Sequence, residues 1–184
     1  MKTGLFSYLI LSVIMSVLLF LGGCSTFPKD ENQKFSRQIE IYVPIFKNNT
    51  YKPGINEMLT DCAINIMTSS DFLKPVNKDD AEFSAACEVI SYGVTSKILD
   101  YSDVSQMNRL DITIRVFLSE KDNSGNFSEV SKFDVSAFSN FSETGISPEL
   151  EKDAASKLYK IISIKLIDKL KKNIYDRTKT KTEN

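Results

Sequence analysis

The 184-residue chain contains no histidine. That excludes Ser-His-Asp and Cys-His nucleophile pairs, His-x-Glu deaminases and every His-ligated metal site. Glycine is scarce, with seven residues: Gly4, Gly22, Gly23, Gly54, Gly93, Gly125 and Gly145. No G-x-G-x-x-G or P-loop can be written from these positions, so nucleotide chemistry at a glycine-rich loop is excluded. An excess of basic charge is also missing. Lys+Arg is 23 against Asp+Glu 24, a net charge of −1, which leaves no electrostatic footprint for general nucleic-acid binding. Cysteine occurs three times, too rarely to assemble a metal site without histidine. The expectation is a protein that is not an enzyme and has no cofactor, no metal and no nucleic-acid partner. What is present is ordinary for a globular protein: 42% hydrophobic, 26% charged and 10% aromatic residues. The length suggests one domain.

The N-terminus reads as an address. Leu5 to Phe20 is an apolar run broken only by Ser and Tyr, preceded by Lys2 and free of charge up to Lys29. Such a run is long enough to be weighed as a membrane span. Leu21-Gly22-Gly23-Cys24 then follows, the pattern of a bacterial lipobox. A lipoprotein signal peptidase needs small residues before the cleaved bond, and its substrate needs a cysteine after it to carry the acyl chains. Residues 1–23 are therefore expected to leave as a signal peptide. Cys24 becomes the acylated first residue of a mature chain of 161 residues with a net charge of −2. Two or more acyl chains give lasting membrane anchorage. Ser25 stands where an inner-membrane retention signal would carry Asp, so the outer membrane is the expected address. Residues 24–37 read as the acylated cysteine and a flexible polar tether. Residues 38–175 read as a single α/β domain, and residues 176–184 as a disordered tail.

Within the domain, period-two alternation predicts a strand over 38–46, with Ile39, Ile41, Val43 and Ile45 on one face. Pro44 cannot donate to a ladder, so this strand is at an edge or ending there. Pro53-Gly54 opens a helix over 55–69, and Asp71 to Val76 reads as a short extended piece. Strands are expected at 83–92, 110–120 and 127–141, the last two joined by a turn at 122–126. A final helix starts at Ser147-Pro148-Glu149, with Leu150, Ala154, Leu158, Ile161, Ile162, Leu166, Leu170 and Ile174 as its apolar stripe. The order is β-α-β-β-β-α. The expected fold is an α+β two-layer sandwich, with two helices packed on one face of a four-stranded mixed sheet.

Cys62 and Cys87 remain after acylation of Cys24. An oxidising compartment permits a disulfide, but one thiol sits on a helix stripe and the other in mid-strand. Layer spacing of about 10 Å against the roughly 7 Å Cα limit of a disulfide favours two buried free thiols. Arg115 stands amid the strongest strand, opposite the apolar row, with Arg109 on the same strand and Lys132 across the hairpin. Scattered cations on a sheet face suit phosphate groups. A wet outer face with ordinary charges explains them equally simply, and more commonly.

Val43-Pro44-Ile45-Phe46-Lys47-Asn48-Asn49-Thr50 leads into Pro53-Gly54-Ile55-Asn56-Glu57-Met58-Leu59-Thr60. This resembles the LPS-assembly lipoproteins (LptE-like), whose P-x-F-x-N-x-T segment precedes a helix with a Leu-Thr pair. Pro44, Phe46, Asn48, Thr50, Leu59 and Thr60 carry the match. Asp80-Ala81-Glu82-Phe83 is similar to the family's Ala-Asp step before its second strand. The family's glycine inside that strand is missing, since Ala86 or Cys87 stands there. The resemblance implies a lipid-anchored, periplasm-facing plug for the outer-membrane barrel LptD, one that assists lipopolysaccharide insertion and can bind that glycolipid. None of the family's lipopolysaccharide-contacting residues maps onto this chain. Arg115, Arg109 and Lys132 rest on the sheet-face argument alone. The rival reading is a lipoprotein scaffold or adaptor of another envelope export complex. A soluble-lipid carrier would require an apolar cavity that the sequence does not indicate.

Overall fold

A computed structural model describes residues 37–98, 106–143 and 148–182. The expected signal peptide, Cys24 and nearly all of the expected tether lie outside the described residues, as do Ser147 and the last two residues. The elements are β1 (Ile39–Tyr42), β2 (Lys47–Asn48), α1 (Ile55–Thr68), β3 (Leu73–Pro75), β4 (Phe83–Ile98), β5 (Gln106–Lys121), β6 (Phe127–Glu143) and α2 (Pro148–Thr182). They form an α+β fold, two helices with a mixed sheet.

The sheet has six strands rather than the expected four. Its order is β3-β1-β4-β5-β6, with β2 also paired to β4. Both extra strands have a local cause. Pro44 interrupts the first strand, so β1 pairs with the start of β4 (Ile41↔Phe83) and β2 rejoins it farther along (Lys47↔Glu88). The alternation changes phase across that break: Ile39, Ile41 and Val43 are buried, Ile45 is 70% exposed, and Phe46 takes the next core position. The piece at 71–76 supplies β3, which pairs parallel to β1 on its open side. Its three residues end in Pro75, which suits an edge.

The long strands form an antiparallel meander. β5 lies between β4 and β6 and shows the cleanest alternation, with Leu110, Ile112, Ile114, Val116 and Leu118 all fully buried. In β4, Ala85 faces inside and Ala86 outside. The β5–β6 turn forms at the expected place. Asp122 Oδ1 accepts from the amides of Ser124 and Asn126, and Gly125 takes a φ of 83° that its missing Cβ permits.

Both helices bury one face against the inward side of the sheet, in a single core. α1 contributes Ile55, Leu59, Ala63 and Met67. From α2 come Leu158, Ile162, Leu166, Leu170 and Ile174. Leu150 and Ile161, expected in that stripe, are 39% and 40% exposed, because Ala155, Tyr159 and Ile167 fill the face instead. Residues 176–182 of the expected tail are helical: α2 continues through Thr182, two turns past its last fully buried residue. Helical hydrogen bonds propagate cheaply from a formed helix, so polar residues can extend one that the core has nucleated.

Helix α2 also closes one edge of the sheet. β6 is an edge strand of 17 residues. Lys165 Nζ donates to the Ser136 carbonyl (3.3 Å), Lys169 Nζ donates to the Asp134 carbonyl (2.7 Å), and Ser131 Oγ donates to Asn173 Oδ1 (2.8 Å). Four residues of helix rise about 6 Å and two residues of strand about 6.6 Å. Side chains four apart on α2 therefore meet carbonyls two apart on β6.

Candidate functional site

The outer face of the sheet is formed by the polar side of the meander. Register places Glu88, Arg115 and Asp134 in one cross-strand row, and Ala86, Phe117 and Lys132 in the next. Arg115 meets Asp134 as a fork, Nε to Oδ1 at 2.9 Å and Nη2 to Oδ2 at 3.1 Å. The hydrogen bond and the opposite charge hold Asp134 below its ordinary carboxyl range and raise the guanidinium. Arg109 donates to both oxygens of Asp111 at 2.8–3.0 Å and stacks 3.9 Å from the centre of the Phe138 ring. Lys132 sits 4.9 Å from the centre of the Phe117 ring.

The three cations of the sequence argument therefore share one face, but two of them have their donors engaged by carboxylates of the same face. Cation and ring partners sit together here for a simple reason. Long basic side chains on a solvent-facing sheet lay their apolar stems over neighbouring rings. Phe117 and Phe138 point outward, whereas Phe133 and Phe141 pack partly against the core.

The 43–60 segment folds as one unit. The Phe46 amide donates to Thr60 Oγ1 at 2.9 Å, and that hydroxyl donates to the Asn56 carbonyl at 2.6 Å. Asn48 Oδ1 accepts from both the amide and the hydroxyl of Thr50, while Asn48 Nδ2 donates to the Lys52 carbonyl at 2.8 Å. Gly54 takes a φ of 73° at the N-cap of α1. The loop is thereby closed on itself and pinned to the first turns of the helix. Each matched polar residue, Asn48, Thr50 and Thr60, is spent inside the unit.

Sequence reasoning missed a second cluster beside this loop. Glu151 Oε1 accepts from Lys52 Nζ and from the Tyr92 hydroxyl, both at 2.8 Å. Lys52 lies 5.2 Å from the centre of the Tyr92 ring, and Tyr51 meets that ring edge-on at 5.9 Å. Lys52 and Tyr92 hold Glu151 below the usual carboxylate range. Burial first, then the Glu151 hydrogen bond, pushes Tyr92 up. A cleft of about 290 Å³ adjoins, lined by Lys52, Met58, Glu151, Lys152, Ala155, Ser156 and Tyr159. Lys52, Tyr92 and Glu151 are 40–99 residues apart in sequence, and no short motif carries the pairing. Among the described residues, no group of three or more Cys, Asp and Glu side chains is placed to hold a metal.

Solved structures share this architecture. A hypothetical protein from Chlamydia trachomatis superposes with a TM-score of 0.53 at 10% identity, covering 73% of this chain and 96% of its own. A Xanthomonas campestris protein described under the family model DUF330 gives 0.53 at 11% identity, covering 77% and 90%. A minor lipoprotein from Acinetobacter baumannii gives 0.46 at 13% identity, covering 73% and 93%. What the first two have in common with this chain is the fold. No protein-family model matches the sequence, and no curated protein matches it.

Cys62 and Cys87 are both free thiols. Cys87 is buried as expected, and burial raises its pKa far above the ordinary thiol range. Cys62 is only half-buried.

Proposed function

We propose that this chain is a bacterial envelope lipoprotein. Acyl groups on Cys24 hold it to the outer membrane, facing the periplasm, and it acts as a non-enzymatic protein partner. The partner that the 43–60 resemblance favours is the LptD barrel, which the domain would plug and help assemble for lipopolysaccharide insertion. The observation that carries this reading is the folded 43–60 unit, standing behind a Leu21–Cys24 acylation pattern in one chain. Lipopolysaccharide phosphates would find Lys132 the most accessible of the three cations on the outer face. To reach Arg115 they must displace Asp134.

One observation favours the second reading, an adaptor of another envelope export complex. Asn48, Thr50 and Thr60 are all consumed by the loop they build, so the motif is accounted for by folding without any partner. The deciding experiment crosslinks the acylated protein in intact cells, isolates it from solubilised envelopes and identifies its partners by mass spectrometry. A large β-barrel recovered at about one to one supports the LptD reading. Self-association or periplasmic partners without a barrel would move the function to the adaptor reading. Globomycin-sensitive processing, lost in Cys24→Ala, tests the lipid anchor separately.

A further inference from the structure

The C-terminal turns of α2 are more basic than a helix end requires. From Lys169 to Thr182 the helix carries six cations against the single acid Asp176. The helix dipole favours cations within about the last turn, yet Lys172 stands more than two turns before the end at Thr182, whereas Lys169 meets the Asp134 carbonyl and Lys171 the Phe72 ring. Core packing does not explain the charge either, because among the described residues no fully buried side chain follows Ile174. Lys172 and Lys179 are exposed, and their spacing of seven puts them on the same side of the helix, two turns apart.

The position of this helix end follows from a short series of contacts. Arg37, where the chain enters the domain, pairs with Glu82 at 2.8 Å. The Glu82 carbonyl accepts from the Lys121 amide at 2.9 Å. The preceding residue, Glu120, pairs with Arg177 of α2 at 3.4 Å. The entry of the chain and the basic end of α2 therefore occupy one corner of the domain. Twelve residues lie between Cys24 and Arg37, a stretch that reaches at most about 45 Å.

We propose that the basic C-terminal turns of α2 rest on the anionic phosphate surface of the membrane that holds Cys24, as a second membrane contact beside the lipid. This rests on the lipid-anchor reading above. The acids of the neighbouring loops, Asp79, Asp80 and Asp122, are repelled by the same surface, so the domain leans on the helix rather than on the hairpin turn. Each lysine near such a surface strengthens attachment about fivefold at moderate salt, and the effect fades within a Debye length of roughly 8 Å.

The test uses the acylated full chain in vesicles of phosphatidylcholine, with or without phosphatidylglycerol. Brief amine acetylation is read at Lys172 and Lys179 by mass spectrometry, with exposed Lys157 at the other end of the helix as the internal reference. The expected result is a severalfold slower modification of Lys172 and Lys179 only when phosphatidylglycerol is present, abolished by high salt. The milder K172Q/K179Q change should weaken salt-resistant retention on anionic vesicles by about tenfold or more and leave flotation with neutral ones unchanged. Equal modification in both vesicle types would overturn the proposal. Failure to float with neutral vesicles, with protection still present on anionic ones, would sink the lipid anchor and leave the helix contact standing.

Discussion

Replacing Thr60 by valine tests whether the 43–60 unit is a structural pin. Thr60 is 4% exposed and Phe46 is 2% exposed. The hydroxyl between them accepts from the Phe46 amide and donates to Asn56. Valine keeps the shape and the β-branch, so no cavity forms, but the Phe46 N–H is left buried without its acceptor. An unsatisfied buried donor costs about 1–3 kcal/mol. The Asn56 carbonyl loses little, because a helical carbonyl retains its backbone donor. A loss of about 2 kcal/mol is expected, and with it a fall in Tm of about 4–8 °C for a domain of this size. Urea unfolding followed by circular dichroism should show a lower midpoint at an unchanged m-value. Thr60→Ser retains the hydroxyl and should recover at least half of the loss. If Thr60→Val lies within about 0.5 kcal/mol of the parent, the amide has another acceptor and the pin is not one.

Three further outcomes follow from other parts of the structure. Lys165→Met with Lys169→Met uncovers the carbonyls of Ser136 and Asp134 on a long edge strand, and such edges recruit other strands. Sedimentation of the double variant should show self-association that the parent lacks, whereas a monomeric, folded variant would contradict a protective role for the lysines. Native alkylation should modify Cys62 first and Cys87 only on unfolding, because the buried Cys87 thiol resists ionisation; equal rates would refute the burial argument. Glu151 is held below its ordinary pKa by Lys52 and Tyr92. Its contribution is therefore present above the unfolded carboxyl value and is lost as pH falls through the lower folded one. Between about pH 5 and pH 3, the parent should lose more stability than Glu151→Gln, and parallel pH profiles would show that the carboxylate contributes nothing.

The parts of the fold legible in the sequence are those where one residue faces one environment. β5 repeats apolar and polar residues without interruption, and its alternation matches its burial from Leu110 to Ser119. The turn at Asp122–Asn126 carries its own chemistry in Asp122 and Gly125. Legibility failed where tertiary context chose among equals. Ile45 and Phe46 are adjacent apolar residues, and the interruption at Pro44 decides that Phe46 goes inside. Ile161 and Ile162 are likewise neighbours, about 100° apart around the helix, and the face that α2 turns to the sheet buries Ile162 and leaves Ile161 exposed. The polar stretch after Ile174 reads as a tail because its residues have nothing to bury. A helix already formed on the core extends through them all the same. At the candidate site the sequence located the cations but not their carboxylate partners: Asp111 is two residues on along the same strand, and strand register brings Asp134 from nineteen residues away.

The spending of motif residues on their own loop changes what a short match means. A P-x-F-x-N-x-T segment followed by Leu-Thr fits any chain that must leave a strand at a proline, return to pair with a neighbour and enter a helix through an αL glycine. Thr60 is needed because it lies one helical turn beyond Asn56 and beside the Phe46 amide. Asn48 is needed because its amide group can serve Thr50 and Lys52 at once. Those demands arise from the β1–β2–α1 path, and a different partner would impose the same ones. On the proposed reading, partner specificity resides in residues at the surface that build no part of the loop, namely Lys132 and Phe117 on the outer face, and exposed Tyr51 and Met58 beside Glu151. Substitutions there should change what is recovered by crosslinking without changing stability. Substitutions of Asn48, Thr50 or Thr60, which hold the 43–60 unit together, should reduce every partner together, through loss of the folded domain.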